Sequence, residues 1–181
     1  MNLPNKITLL RVCLIPIFLI IYLAQPFHEA VNMWLAFVIF VSAAITDAID
    51  GYLARKYKLV TNFGKLMDPL ADKLLVCSAF IAFTYVGLLP AWAVIILISR
   101  EFYISGLRQI ALESRIVLAA TVLNKFKTTA QLTLIIYMLL PLTLLVFDIV
   151  VFILLIITVV ISVVSVVDFT LKNIQIFNNQ T

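Results

Sequence analysis

The chain is 181 residues long, 64% hydrophobic and only 12% charged, with a mean hydropathy of +1.17. A soluble domain of that size needs far more polar surface. The composition therefore excludes a soluble globular fold and predicts an all-α integral membrane protein that crosses the bilayer several times. Thirteen basic residues against nine acidic ones give a net charge of +4. That excess favours anionic lipid headgroups and phosphorylated solutes and gives no reason to invoke nucleic acid.

Six segments approach the roughly 20 apolar residues that a helix needs to span a hydrocarbon core. The first, Ile7 to Ala24, lacks a small-residue cleavage site and is followed by further segments of spanning length, so a retained span is expected rather than a signal peptide. Pro16 is a candidate kink within it. Cys13 lies in this segment and Cys77 in the third, with no C-x-x-C pair. That spacing suggests packing roles and neither a disulfide nor a thiolate metal site. The second span is Val31 to Tyr52, the third Leu70 to Val86, the fourth Ala91 to Ile110, the fifth Thr121 to Leu140 and the sixth Ile149 to Val167. Pro26, Pro90 and Pro141 fall in or beside the connections, where a missing amide hydrogen does least harm. With no internal repeat and no low-complexity linker, residues 1–181 are expected to form one membrane domain.

The basic residues set the expected orientation, because short loops rich in lysine and arginine stay in the cytoplasm. Lys6 and Arg11 sit at the start of the first span. Arg55, Lys56, Lys58, Lys65 and Lys73 surround the junction of spans two and three. Arg100, Arg108, Arg115, Lys125 and Lys127 surround the junction of spans four and five, and Lys172 follows span six. The opposite connections, "AQPFHEAVN", "GLLPAW" and "LPLTLLVFD", hold no basic residue. Both termini are therefore expected in the cytoplasm, with a one-sided basic face.

Against that face stands a concentration of acids. Of the six aspartates in the chain, Asp47, Asp50, Asp68 and Asp72 fall within 26 residues, beside two of the four glycines, Gly51 and Gly64. Spacings of three and four put each pair on one helix face near the cytoplasmic boundary. Four carboxylates that close repel one another unless cations lie between them, and hard divalent ions such as Mg²⁺ or Mn²⁺ take such oxygen ligands. Two metals in one carboxylate cage suit displacement at phosphorus, while Arg55, one turn past Gly51, can grip a diphosphate. The plainer alternative is that the acids only pair with nearby lysines at the membrane surface. Asp148 and Asp168 stand alone at span ends and are expected to be solvated. His28, the single histidine, lies on the outer side, which excludes a histidine-based nucleophilic triad, and Ser99 and Ser105 are expected to pack between helices.

Written out, Asp47-x-x-Asp50-Gly51-x-x-Ala54-Arg55, eight residues, then Gly64-x-x-x-Asp68-x-x-x-Asp72, the stretch resembles the complete signature of the CDP-alcohol phosphatidyltransferase family. "LPNKITLLR", "VTNFGKLMDPLADKLL", "REFYISGLRQIA" and "KFKTTAQ" are similar to the members that use glycerol 3-phosphate as acceptor. Asn124 stands where those members commonly have glycine, and "SVVDF" lacks their serine-glycine pair. The resemblance implies a six-helix enzyme, a homodimer of the bacterial cell membrane with its polar site at the cytoplasmic boundary. It would move a phosphatidyl group from CDP-diacylglycerol to an alcohol and release CMP. By position, Asp47, Asp50, Asp68 and Asp72 would hold two divalent ions, with Asp72 as general base. Gly51, Ala54, Arg55 and Gly64 would line the nucleotide and diphosphate site.

An acidic phosphate on the acceptor needs cations separate from those that neutralise the donor. Arg100, Arg108, Lys125 and Lys127 are the candidates, which fits glycerol 3-phosphate. The alternative is that they mark the inner boundary and bind lipid headgroups, as Arg115 and Lys172 are expected to do. Thr8 and Arg11 are assigned to the acceptor site on the resemblance alone. The same chemistry with phosphatidylglycerol, an inositol phosphate or a small alcohol as acceptor is the second reading. A divalent-cation transporter is a remote third, because transport sites usually lie at the bilayer midplane on broken helices.

Overall fold

The computed structural model describes residues 3–56, 62–113, 122–141 and 146–174. Among them the regular elements are six helices and no strand: α1 (Leu3–Ala24), α2 (Glu29–Lys56), α3 (Asn62–Tyr85), α4 (Ala91–Glu113), α5 (Val122–Leu139) and α6 (Phe147–Lys172). Each overlaps one of the six apolar segments, α3 and α5 stopping a residue short of theirs. The helices α2, α3 and α6 run several residues past the apolar windows, because backbone hydrogen bonding continues where the side chains turn polar. α1 passes through Pro16 as a single helix.

Windows in α1, α2 and α6 are long and apolar enough to cross a membrane. Their outer faces agree, since large apolar side chains such as Ile20, Val38, Phe152 and Leu171 are more than half exposed. A soluble protein would aggregate through such faces, whereas lipid covers them without penalty.

Two compact units make up the chain, residues 1–88 with 135–143, and residues 89–134 with 144–181. In the first, α1 packs on both α2 and α3, and α2 contacts α3. Its interior is aromatic and alanine-rich. Phe18 is fully buried, its ring 5.8 Å from both Tyr22 and Phe40, and Tyr22 meets Phe83 edge-on at 5.4 Å. Ala36, Ala43, Ala71 and Ala79 are fully buried and let the backbones approach closely. Between α1 and α2 the side chain of the buried Asn32 makes two bonds to Phe27. Its Oδ1 accepts from the Phe27 N–H at 3.2 Å and its Nδ2 donates to the Phe27 carbonyl at 2.6 Å.

In the second unit α4 packs on α6. Ile104, Leu107, Ala111 and Phe169 form an apolar cluster, and the Tyr103 and Thr170 hydroxyls share a hydrogen bond of 3.3 Å. Asp168 was expected to be solvated. It instead accepts an ion pair from Lys172, one turn on, at 2.7 Å, because an i,i+4 carboxylate and ammonium meet on one helix face.

Candidate active site

The signature lies on continuous helix. Asp47, Asp50, Gly51, Ala54 and Arg55 are in the C-terminal part of α2, and Gly64, Asp68 and Asp72 are in the N-terminal part of α3. Residues 57–61 alone separate the two helices, which contact each other within one unit. The topology therefore brings both acid pairs to the joined ends of one helical hairpin. Of these positions only Asp72 has a described side chain, and it is half-buried; the side chains at the other seven lie outside the described residues, as do Arg115 and Lys58.

Whether such a set suits a divalent cation follows from its chemistry. The donors are all carboxylate oxygens, each pair is spaced to share a helix face, and the two helices are packed neighbours. That fits a hard ion. Among the described side chains, no group of three or more His, Cys, Asp and Glu offers a competing site.

Thr8 and Arg11 occupy successive turns of α1 in the same unit, and both are buried, Arg11 completely. A fully buried arginine in an apolar spanning segment is costly and marks a functional position more often than a packing one.

The second basic cluster divides. Arg100 and Lys127 come together, 7% and 5% exposed, on the carboxylate of Glu101, itself 7% exposed. The Lys127 ammonium is ion-paired with Glu101 Oε1, and Arg100 Nη1 reaches the same oxygen at 3.4 Å. Gln131 Nε2 donates to it as well, at 3.5 Å. Arg100 is held on its other nitrogens. Nε and Nη2 donate to Ser165 Oγ at 3.2 and 2.9 Å, and Nη2 also donates to Asn124 Oδ1. Ser165 in turn donates to the Ser162 carbonyl at 3.0 Å. Asn124, Lys127 and Gln131 are spaced i, i+3, i+7, so one face of α5 delivers all three. A buried ionic network of this kind links α4, α5 and α6, and removing one partner of such a pair costs about 3 to 5 kcal/mol.

Arg108 and Lys125 stand apart from it. Arg108 is exposed and lies over the Phe169 ring at 5.9 Å, a cation–π contact. Lys125 is exposed, two residues from buried Lys127 and so roughly on the opposite side of α5. Reading charge along the sequence treated the four cations as one patch and passed over Glu101, Gln131 and Ser165. The available signal was a carboxylate next to Arg100 in an apolar helix, since ionisable groups within spans are rare unless paired. The Ser105 hydroxyl donates to the Glu101 carbonyl one turn back, at 2.5 Å.

A helical membrane protein with paired aspartates at the joined ends of two packed helices, and a buried cation pair on another helix set, is of the class that handles charged phosphate chemistry at a lipid surface. The sequence matches the CDP-alcohol phosphatidyltransferase family over residues 1–164. The chain belongs to that family and is therefore a transferase of the membrane, of the kind used in phospholipid synthesis.

Particular relatives narrow the similarity. A Bacillus subtilis (strain 168) protein named CDP-diacylglycerol-glycerol-3-phosphate 3-phosphatidyltransferase is 50% identical over 149 residues, 77% of this chain and 77% of the relative. A Mycobacterium tuberculosis (strain H37Rv) protein named probable phosphatidylglycerophosphate synthase is 40% identical over 141 residues, 78% of this chain and 67% of its own. A Rickettsia bellii protein with the same name as the Bacillus one is 38% identical over 132 residues, covering 72% and 71%.

Proposed function

We propose that this protein transfers the phosphatidyl group of CDP-diacylglycerol to a hydroxyl of glycerol 3-phosphate, giving phosphatidylglycerophosphate and CMP. The observation that carries the reading is the eight-position signature on continuous helix at the joined ends of α2 and α3. The names of relatives up to 50% identical support the acceptor.

Asp47, Asp50, Asp68 and Asp72 hold two divalent ions, Mg²⁺ or Mn²⁺. Bound there, the ions supply positive charge to the diphosphate and to the departing CMP. Gly51, Ala54 and Gly64 leave room for cytidine, and Arg55 grips the diphosphate with its planar fork of donors. Asp72 takes the proton of the acceptor hydroxyl as that oxygen attacks the phosphorus bearing diacylglycerol, and the bond from that phosphorus to CMP breaks in line. One displacement suffices, with no covalent enzyme intermediate. Lys127, with Arg100 beside it, meets the acceptor phosphate, and Arg108 and Lys125, which stand apart from that pair, are left outside this contact.

All six helices span, with both termini and the site on the cytoplasmic face of a bacterial cell membrane, and residues 1–181 act as one domain within a homodimer. The one-sided distribution of lysine and arginine supports the orientation. A donor with two acyl chains in lipid and a diphosphate in water suits carboxylates at that boundary.

Purified protein given CDP-diacylglycerol, Mg²⁺ and one acceptor at a time tests the reading by mass spectrometry of the lipid product. Phosphatidylglycerophosphate from glycerol 3-phosphate is expected. Cardiolipin from phosphatidylglycerol, or a product from inositol phosphate or a small alcohol with none from glycerol 3-phosphate, would overturn the acceptor. No metal-dependent CMP release with any acceptor would overturn the chemistry and leave ion transport to be assayed.

A further inference from the structure

The buried network on α4, α5 and α6 holds one charged group that the reaction above does not use. Glu101 is a carboxylate inside the basic cluster assigned to an anionic acceptor, where a negative charge repels the ligand. Its surroundings show what it does instead. Arg100, Gln131 and Lys127 all donate to its Oε1, and its side chain is almost wholly enclosed. Arg100 in turn is fixed by Ser165 on α6 and Asn124 on α5. Glu101 is thus held directly from α5 and, through Arg100, from α6, and the Lys127 ammonium is pinned to it.

A lysine has four rotatable side-chain bonds, and freezing them upon ligand binding weakens the binding. A lysine already frozen presents its charge in one place. Arg100, with all three guanidinium nitrogens engaged inside the network, supports Glu101 and is placed to anchor it. We infer that Glu101 is a positioning residue for the acceptor: it pre-sets the Lys127 ammonium for the phosphate of glycerol 3-phosphate, and acts on catalysis only through Lys127. The inference rests on the acceptor reading given under the proposed function.

The test uses the full-length protein in detergent micelles with donor and acceptor varied in turn. Wild type must first turn over glycerol 3-phosphate; if it does not, the acceptor reading fails, and that result is separate from any variant. Given turnover, Glu101→Gln is expected to raise the acceptor KM on the order of tenfold, with the donor KM within about twofold. Glu101→Asp, which keeps the charge but is one methylene shorter, is expected to raise it less. The double variant Glu101→Gln with Lys127→Gln is expected to match Lys127→Gln alone, because Glu101 has nothing left to position.

A fall or no change in acceptor KM in Glu101→Gln would show that the carboxylate merely opposes the anion. Equal worsening for donor and acceptor would show a structural role, and additive losses in the double variant would show an action outside Lys127. Each overturns the inference. If Glu101→Gln does not fold, Gln131→Met, which removes one donor to the same oxygen, decides: an acceptor KM raised about threefold with the donor unchanged supports the inference, and equal or absent changes overturn it.

Discussion

The two compact units place their charges differently with respect to their packing. In the α1–α3 unit the signature acids sit at the joined ends of α2 and α3, while the interior between Phe18, Tyr22, Phe40 and Phe83 is aromatic. In the unit of α4, most of α5, and α6, the charges of Arg100, Glu101 and Lys127 are the packing. Chemistry and stability are therefore separable in the first unit and joined in the second. Among the described residues Thr8, Arg11 and Asn32 are the exceptions, being polar yet buried in the α1–α3 unit.

Removing the metal is the harshest break. Excess EDTA is expected to abolish CMP release and Mg²⁺ or Mn²⁺ to restore it, with the thermal midpoint in detergent little changed, because the core of Phe18, Tyr22, Phe40 and Phe83 includes none of the signature acids. Full turnover in EDTA would refute the two-ion assignment. Asp68→Asn and Asp72→Asn sharpen the same point. Both are expected to stop turnover, yet Asp72→Asn is expected to keep binding CDP-diacylglycerol, since a base is needed only for the attack. A binding assay in which Asp72→Asn loses the donor as badly as Asp68→Asn would make Asp72 chiefly a metal ligand.

The converse break is Phe18→Ala. Phe18 is fully enclosed between Tyr22 and Phe40, and truncating it is expected to remove roughly 3 to 5 kcal/mol of stability. The folded fraction should keep its donor KM. A large rise in donor KM at unchanged stability would show that this core reaches into the site. Next in size comes a crossed pair. Lys127→Gln is expected to weaken the acceptor on the order of ten- to a hundredfold with the donor barely affected, and to lower stability as well. Arg55→Ala should show the reverse substrate pattern. Equal losses for both substrates in Lys127→Gln would leave the network a structural or lipid-binding one.

The asymmetry between the units also explains what the sequence disclosed. Apolar runs of spanning length located each helix, and the acid spacing placed the signature on two helices, because periodicity and local spacing are properties of the chain itself. Where α2 and α3 end was less legible, since a helix can outrun its apolar window. The network on α4, α5 and α6 was legible only as a carboxylate beside Arg100 in an apolar helix, and its partners on α5 and α6 were not. Glu101 and Ser165 are 64 positions apart in the sequence, and no local pattern tells that Arg100 will be shared between them. Nor does spacing, which puts Lys125 and Lys127 on opposite sides of a helix, say which of the two is enclosed.

Asn124 gives the smallest expected effect and the finest test of the comparison. Its side chain either lines the acceptor pocket or serves the fold. The structure aims its Oδ1 at Arg100 Nη2, which also donates to Ser165 at 2.9 Å. Asn124→Gly therefore removes one of the two acceptors of Nη2 on a buried guanidinium and adds a glycine to the first turn of α5. Together these are expected to lower stability by roughly 1 to 2 kcal/mol, less than a sole charged hydrogen bond because Ser165 remains. The acceptor KM should shift less than about threefold, since Lys127 stays pinned by Glu101. Thermal unfolding and acceptor kinetics on one preparation decide it. A tenfold acceptor change at an unchanged thermal midpoint would place the Asn124 amide on the ligand instead of on Arg100, and polar groups of the second unit would then be separable into binding and packing after all.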